Sequence, residues 1–307
     1  MSTPADDSPE ERAAEAADLS PSEAFALLGN ETRIDILQGL QDATADRPES
    51  AAVSFSELYE QVDVDDSAHF NYHLKQLLDH FVRKDEDGYR FRTPGRKVVR
   101  SVFAGTFTGR TEVGPFAAPG DCYHCEGDLR ARYADERLVV ECDDCGRTHV
   151  DYPFPPGGFD DRTPEEFLDA FHHHVRHHYC LAADGVCPEC MGRMETTLDT
   201  ETEVPDWTVA VVHACERCDN RLTSTLGLNL LDTAAVLTFF SDRGVDLTTR
   251  PFWTNDWCVS DRHTTVLSTD PTRVRLDLPC DGDHLSVTVD ETFSLLETTV
   301  ELADETS

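Results

Sequence analysis

Eight of the eleven cysteines fall into four pairs, and in each pair two residues separate the cysteines. The first two pairs are Cys122/Cys125 and Cys142/Cys145, with sixteen residues between them. A C-x2-C turn offers two thiolates from one tight knuckle, and two knuckles close a tetrahedron around Zn²⁺. The spacing therefore predicts a four-thiolate metal site.

The remaining two pairs predict a second site of the same kind. Cys187/Cys190 and Cys215/Cys218 are separated by 24 residues, which include a strand-like segment, EVPDWTVAVVH. Four thiolates occupy all four coordination positions of a tetrahedral ion, whereas a catalytic zinc keeps one position for water or substrate. We therefore expect two structural Zn²⁺ ions.

Three questions about these cysteines stay open at this level. Iron is an alternative ion, because rubredoxin-like sites use the same four ligands, and a reduced, empty or disulfide-bonded set is another alternative. Cross-pairing of the Cys122 and Cys215 knuckles is compatible with the spacing. The leftover cysteines are predicted to be small bystanders, with a thiol redox switch as the minority interpretation: Cys180, Cys258 and Cys280.

A histidine-rich segment offers further ligands. Thr163 and Pro164 predict the start of a helix, PEEFLDAFHHHVRHHYCLA, whose second half carries five histidines. Pairs four residues apart on a helix can chelate a metal, but a polar helix face is the simpler interpretation. The five are His172, His173, His174, His177 and His178.

The elements around these ligands predict an α+β fold for the C-terminal half. Between the first cysteine pairs, LRARYADERLVVE suggests two short strands with a turn, as in a zinc ribbon. LLDTAAVLTFFSDRG, ended by Gly244, predicts an apolar helix. Four alternating segments then follow up to Leu302, and Asp-Pro and Asp-Gly pairs separate some of them, which predicts an antiparallel sheet.

The formal charge is the unusual bulk property. At −34 over 307 residues, with 60 acids against 26 bases, the chain is far more acidic than most globular proteins. Apolar periodicity from Pro21 onward argues against general disorder. At about 1 M salt the Debye length is about 3 Å, so dense like charge is tolerated. We therefore predict a folded protein adapted to molar salt, resembling haloarchaeal cytoplasmic proteins in composition.

The N-terminal segment shows no targeting signal. Residues 1–19 are acidic and alanine-rich, unlike the basic start of a secretory signal, and are predicted to be a disordered tail. No run reaches the ~18 apolar residues needed to cross a membrane. We therefore expect a cytoplasmic protein without a membrane partner.

One stretch reverses the sign of the charge. Residues 67–100 carry eight Lys/Arg against four Asp/Glu, and they contain all three lysines of the chain. Before them, Ser20 and Glu23 predict the start of a first helix, and caps and periodicity predict two more, in LLGNETRIDILQGL and FSELYEQV. The stretch itself predicts a fourth helix, HFNYHLKQLLDHF, then a hairpin around DEDG, then a fifth helix starting at Thr93.

This order of elements and these segments resemble the ArsR-like winged helix-turn-helix transcriptional regulators, especially haloarchaeal members. The resemblance covers about 85 residues and implies double-stranded DNA as the partner, a homodimer, and a fourth helix lying in the major groove. Phe70, Leu74, Leu77 and Phe81 would form the inward face of that helix. The implied DNA-binding residues are His69, Asn71, Tyr72, Lys75, Gln76, Arg90, Arg92, Arg96, Lys97 and Arg100.

Some residues depart from the family pattern. The hairpin tip, Asp85-Glu86-Asp87, should repel phosphates rather than enter a groove. Asn71 and Tyr72 stand where relatives often carry serine, so base preference does not transfer. Counterion release also contributes little at molar salt, so binding must depend more on base edges and shape. For His73, a hydrogen-bonded structural role is the preferred interpretation.

The predicted organisation is a multidomain α+β chain. An acidic tail (1–19) precedes the winged helix-turn-helix domain (20–104), a linker (105–117), a zinc-ribbon-like module (118–158), an α+β zinc-containing domain (159–302) and a short tail (303–307). The C-terminal half resembles an uncharacterised domain found on some haloarchaeal ArsR-like proteins, a resemblance that implies no activity.

Three functions are consistent with this organisation. A sequence-specific, non-enzymatic transcriptional regulator is preferred. The alternative is an adaptor of the archaeal transcription machinery, similar to initiation factor E, which binds protein rather than specific DNA. A metal-dependent enzyme on nucleic acid lacks an open metal position, and direct metal sensing lacks a cysteine before Cys122.

Overall fold

The computed structural model describes residues 19–107, 109–159, 161–204 and 207–303. The chain divides into two compact units, Met1–Thr108 and Gly109–Ser307. The predicted tails, 1–19 and 303–307, lie almost wholly outside the described residues. Both units mix helices with antiparallel strands, so the mixed α+β class is confirmed.

The described part of the first unit forms five helices and one hairpin. In order, these are α1 (Pro21–Leu28), α2 (Glu31–Asp42), α3 (Phe55–Glu60), α4 (Ser67–Leu77), β1 (Val82–Asp85), β2 (Gly88–Phe91) and α5 (Thr93–Phe103). Ser20 and Glu23 make a reciprocal capping box on α1, as the sequence predicts. Asn30 caps α2 by accepting from the backbone N–H of Arg33 at 3.2 Å.

The fourth helix ends earlier than the apolar pattern up to Phe81 predicts. Leu78 leaves the helical conformation, and Asp79 has a φ of +66°. The backbone N–H of Asp79 then donates to the carbonyl of Val82 at 2.9 Å. Because these bonds already turn the chain into the hairpin, the helix ends at Leu77 and Phe81 packs from the following turn.

The hairpin and the helices enclose one apolar core. Asp85 pairs with Gly88 across a two-residue turn, and Gly88 adopts a φ of +135° that favours glycine. The backbone of Val53 pairs with Tyr89 beside the hairpin. The fully buried side chains of this core include Ile36, Leu37, Leu40, Leu58, Phe70, Leu74 and Leu77.

The second unit begins with a four-stranded antiparallel sheet in sequential order. The strands are β3 (Val113–Asp121), β4 (Asp128–Ala134), β5 (Arg137–Cys142) and β6 (Thr148–Pro153). The β4–β5 pair is the predicted two-stranded ribbon. Strand β3 starts within the stretch interpreted as a linker, because Val113 and Phe116 pack against the core of this unit.

A long helix and a second sheet follow. Helix α6 (Pro164–Ala183) starts at Thr163, whose capping box with Glu166 matches the predicted start. The strands β7 (Met194–Asp199), β8 (Ala210–Cys215) and β9 (Arg221–Ser224) form an antiparallel three-stranded sheet.

The predicted apolar helix LLDTAAVLTFFSDRG begins later than expected, as α8 (Ala234–Ser241), and a short helix that the sequence analysis does not predict, α7 (Leu226–Leu230), precedes it. Thr233 has a ψ of 142°, which interrupts the helical backbone, and its hydroxyl donates to the carbonyl of Leu230. The carboxylate of Asp232, in the same break, accepts hydrogen bonds from the buried guanidinium of Arg176. The ion pair therefore holds the break in place.

The unit ends with a short helix and a four-stranded meander. These are α9 (Asp256–Val259), β10 (Thr264–Thr269), β11 (Thr272–Cys280), β12 (Asp283–Asp290) and β13 (Leu295–Glu301). The predicted antiparallel sheet is confirmed. One continuous hydrophobic cluster runs from the first sheet through α6 to β11 and β12, so the predicted ribbon module and C-terminal domain share a core.

None of the helices in the described part of the chain is long and apolar enough to cross a membrane.

Candidate metal centres and nucleic-acid interface

The first four predicted cysteines converge. The sulfur atoms of Cys122 and Cys145 are 3.7 Å apart, and those of Cys125 and Cys142 are 3.4 Å apart. All four sulfurs lie within 4.8 Å of one another. Zn–S bonds of about 2.3 Å would place sulfurs at the corners of a tetrahedron about 3.8 Å apart, so the group matches a four-thiolate site.

Two tight turns position this cluster. In the first, the backbone N–H of Cys122 donates to the carbonyl of Gly127 at 2.8 Å. In the second, the N–H of Cys142 donates to the carbonyl of Arg147 at 2.9 Å. Each turn connects neighbouring strands of the first sheet, β3 with β4 and β5 with β6. The sheet register therefore sets the distance between the two knuckles.

The second cluster repeats this design on the second sheet. The sulfurs of Cys187 and Cys218 are 3.7 Å apart, and those of Cys190 and Cys215 are 3.5 Å apart. Strand β8 ends at Cys215, opposite Met194 on β7. Each set of four closes on itself, so the cross-paired arrangement does not occur.

Backbone N–H groups point at the sulfurs and favour their thiolate forms. The N–H of Arg217 lies 3.4 Å from the sulfur of Cys215 and lowers the pKa of that thiol. The N–H of Cys145 lowers the pKa of the Cys142 thiol to about 7. Donors fixed around the sulfurs are typical of metal-binding thiolates. Both groups can therefore hold metal ions such as zinc.

The five histidines of α6 do not assemble a comparable group. In the described residues, the two cysteine sets are the only clusters with three or more close metal-ligating atoms. His172 is buried, and its Nδ1 accepts from the backbone N–H of Phe252 at 3.1 Å. His178 contacts the Tyr152 hydroxyl at 2.9 Å through Nδ1. These two side chains pack within the unit rather than forming a uniform polar face.

The leftover cysteines lie apart from the metal-site candidates. Cys258 is buried, and burial raises the pKa of its thiol. Cys180 and Cys280 are partly buried, and burial raises their pKa values as well. Neutral, shielded thiols of this kind are poor nucleophiles.

In the first unit, α4 has a buried apolar face and an exposed polar face. Phe70, Leu74 and Leu77 are fully buried. Tyr72 is 60% exposed, and Asn71 is half-buried beside it. The other predicted DNA-binding residues of this helix are exposed: His69, Lys75 and Gln76.

His73 lies at the edge of the buried face. Its Nε2 is 3.0 Å from the Nε2 of His69, and burial lowers the pKa of His73. The bond to His69 fits the structural role expected for this residue.

Several of the predicted basic contacts are paired with acids. Arg90 forms ion pairs with Asp85 and Asp87 at the hairpin tip and donates to the carbonyl of Ser50 at 2.7 Å. Both Arg96 and Arg100 pair with Glu49. Glu49 lies more than 40 residues away in sequence, and no sequence signal indicates it.

The rest of the predicted basic residues are exposed. In the described part of the chain, Lys75, Arg92 and Lys97 have no ion pair. Arg92 lies just after β2 and directly before α5. Among the predicted DNA-binding residues, all of them described, positive charge without an ion pair thus lies on α4 and around the start of α5, whereas Arg90, Arg96 and Arg100 are paired with acids.

Two family models match the chain, and the matched residues together make up most of its described part. Residues 119–295 match a family described as a domain of unknown function, DUF7351. Residues 21–102 match a second domain of unknown function, DUF7347. No curated protein matches the chain.

Proposed function

Because the chain belongs to the DUF7351 family, whose description assigns no activity, we propose its function from geometry: a sequence-specific DNA-binding transcriptional regulator with an ArsR-like winged helix. The observation that carries the proposal is the exposed polar face of α4, opposite its buried apolar face. A helix of this kind, projecting from a small helical unit, can enter the major groove.

The polar side chains of α4 suit base recognition. Asn71 and Gln76 can each bond bidentately to adenine, and Lys75 can bond to guanine or to a phosphate. Arg92 and Lys97 extend the positive surface toward α5. Since Arg90, Arg96 and Arg100 already pair with acids, base edges carry more of the proposed affinity than phosphates do.

We propose a homodimer formed through the α1 and α5 face of the first unit. Phe25 is 71% exposed, Phe103 54% and Phe107 67%. A groove of about 570 Å³ lies along this face and includes Val98 and Val102. Exposed apolar side chains clustered in this way mark interaction surfaces. Val99, on the same helix as Val98 and Val102, is buried in the core of its own unit and does not belong to this surface.

The proposed metal in both clusters is structural zinc. Four thiolates leave a tetrahedral zinc without an open position, so the proposed function is non-enzymatic. The zinc-bearing unit would then provide the regulator with a partner or signal-binding region.

Selection of bound sequences from random duplex DNA in molar KCl tests the proposal. The metal-loaded full chain is compared with an Asn71→Ala/Lys75→Ala variant. A matched control, Gln61→Ala/Arg47→Ala, also removes one amide and one cation, but away from α4; Arg47 forms only an exposed ion pair with Glu57.

The expected result is a palindromic site that the wild type and the control enrich and the α4 variant does not. Equal enrichment by all three proteins would show that α4 does not read the sequence. No enrichment by any of them would contradict the regulator function.

One observation favours a second candidate, an adaptor of the transcription machinery that binds protein. The hairpin tip is acidic and pairs with Arg90, and Arg96 and Arg100 of α5 pair with Glu49. Co-purification of RNA polymerase with the chain, together with no enriched DNA site, would support this adaptor.

A further inference from the structure

A groove beside helix α5, the α5 groove, is lined mainly by positive side chains. It has a volume of about 550 Å³, and α5 contributes Arg96, Lys97 and Arg100 to its walls. Glu49, in the loop between α2 and α3, is the acid among its described lining residues. Three cations against one acid give the groove a formal charge of +2, although the whole chain carries −34.

The Glu49 carboxylate lies between two guanidinium groups in this groove. Its Oε1 accepts from Nη2 of Arg100 at 3.3 Å and also from Nη1 of Arg96. Arg96 and Arg100 are one turn apart on α5 and therefore share a face of the helix. Arginine binds carboxylate and phosphate oxygens through the same charged hydrogen bonds. Two guanidinium groups that converge on one carboxylate oxygen can therefore receive a phosphate oxygen instead.

Contacts within the protein hold Arg96 in place. Its guanidinium lies 5.6 Å from the centre of the Phe91 ring, and its Nη2 donates to the backbone carbonyl of Glu49 at 3.1 Å. Only 21% of the Arg96 side chain is exposed. These contacts do not involve the Glu49 carboxylate, so the donor stays in position for another oxyanion.

The simpler interpretation of the Glu49 carboxylate is a surface ion pair that holds its loop against α5. Other contacts already hold this loop: the Arg90 side chain donates to the Ser50 carbonyl at 2.7 Å, and the Val53 N–H donates to the Tyr89 carbonyl at 3.0 Å. The Glu49 side chain is 67% exposed, and ion pairs at such positions add little to stability. The carboxylate thus contributes little to the fold, and its main effect is on the charge of the groove.

We propose that Arg96, Lys97 and Arg100 form a binding site for a phosphate oxyanion, and that Glu49 occupies this site in the free protein. Lys97, which has no ion pair among the described residues, supplies the third positive charge. A phosphate that enters the site displaces the Glu49 carboxylate. Because one anion replaces another, the net gain in affinity is small in the wild-type protein.

The phosphate has two candidate sources, the backbone of duplex DNA and a free phosphate group. The first source rests on the proposed function, and the second requires no DNA. Phosphate contacts with DNA carry no sequence information but make binding depend on salt. If the source is DNA, removing the Glu49 charge should therefore strengthen binding to a duplex of any sequence.

Binding measurements on the metal-loaded full chain test the proposal, at several KCl concentrations in which circular dichroism shows a folded chain. The probes are a random-sequence duplex and inorganic phosphate. Glu49→Gln removes the carboxylate charge and keeps the size of the side chain. Asp46→Asn is the matched control, because it removes an exposed acid from the same loop, and Asp46 forms no ion pair within the described part of the chain.

Glu49→Gln should bind each probe about threefold more tightly than the wild type. For the duplex, the slope of log K against log [KCl] should also steepen by about 0.9, as expected for one further phosphate contact. Asp46→Asn should bind both probes like the wild type. Adding Arg96→Gln and Arg100→Gln to Glu49→Gln should abolish the gains, because the groups that receive the phosphate are then absent.

Two results would overturn the proposal. Unchanged binding of both probes by Glu49→Gln would show that the carboxylate only holds its loop. Equal gains in Glu49→Gln and Asp46→Asn would attribute the effect to the overall charge.

The two probes also separate the sources and the two proposals. A gain for inorganic phosphate alone would assign the site to a free phosphate and reject the DNA backbone, whereas a gain for the duplex alone would assign it to the backbone. Failure of the regulator function gives a different result: no sequence is enriched from random DNA, while Glu49→Gln still gains affinity for inorganic phosphate.

Discussion

The two units differ in what holds them together. The first unit has a small apolar core built from helices, and His73 is its only buried polar residue among those described. The second unit has a larger core, but it also brings together two groups of four thiols and buries several polar side chains. Four thiolates this close together repel one another unless a cation joins them, so we expect the second unit to depend on bound metal for its stability and the first unit not to.

Metal removal should give the largest difference between the units. Structural zinc contributes about 10–16 kcal/mol in zinc-finger peptides, more than most domains have in total stability. We expect chelation to unfold the second unit around both clusters and to leave the first unit folded. Hydrogen exchange followed by mass spectrometry would report on each unit separately.

The control is reversal of the chelation in the same salt. Re-adding Zn²⁺ should restore protection in β4, β5, β7 and β8. Unchanged protection of these strands after complete metal loss would show that the apolar core alone sustains the second unit.

A core substitution in the first unit should give the next largest effect. Leu74 is fully buried on α4, and replacing a buried leucine with alanine costs about 2–5 kcal/mol. Leu74→Ala should therefore lower the stability of the first unit and leave the melting of the metal-loaded second unit unchanged. Denaturant unfolding followed by exchange in each unit measures this.

Lys75→Ala is the matched control, since it removes an exposed side chain from the same helix. Its expected effect is within about 0.5 kcal/mol of the wild type. Equal loss in both units after Leu74→Ala would show that they unfold as one cooperative structure.

Acid should also affect the second unit more than the first. Burial lowers the pKa of His149, His172 and His174 to about 4 in the folded second unit. Unfolded histidines titrate near about 6.5 and so bind protons first as the pH falls. The contribution is thus fully present above about pH 6.5 and is lost as the pH falls from there toward 4.

The variant His172→Asn isolates this contribution from metal loss. Its amide oxygen can still accept from the Phe252 N–H, but it does not titrate. Between pH 6.5 and 4 the variant should lose less stability than the wild type, while both release metal at the same pH. Identical pH profiles would show that His172 does not contribute to the acid sensitivity.

Local signals in the sequence predict the elements well in both units. The helix starts at Ser20 and Thr163 are predicted correctly because the signals are local: Glu23 lies three positions after Ser20, and Pro164 follows Thr163 directly. The cysteine spacing likewise predicts two groups of four, but it leaves open which knuckles pair, and the structure answers that question. The DNA-binding role assigned to α4 stays a prediction.

Contacts between distant residues are what the sequence could not provide. Glu49 neutralises Arg96 and Arg100 across more than 40 positions. The break at Thr233 depends on Arg176, which lies in a different helix. The burial of His149 arises only when the first sheet, α6 and β9 surround one cavity. Periodicity and residue spacing carry no information on such tertiary contacts.

The smallest predicted difference concerns one motif shared by both units. Ser54 accepts from the backbone N–H of Glu57 at 3.2 Å, and Thr163 accepts from that of Glu166 at 3.3 Å. Removing either hydroxyl in Ser54→Ala or Thr163→Ala should cost about 1 kcal/mol in its own unit, whereas Ser54→Gly should cost only a few tenths. Denaturant unfolding of the metal-loaded chain, followed by exchange in each unit, measures all three. A cost that appears in both units from one substitution would contradict the independence of the two, because a helix cap acts only on the turn it closes.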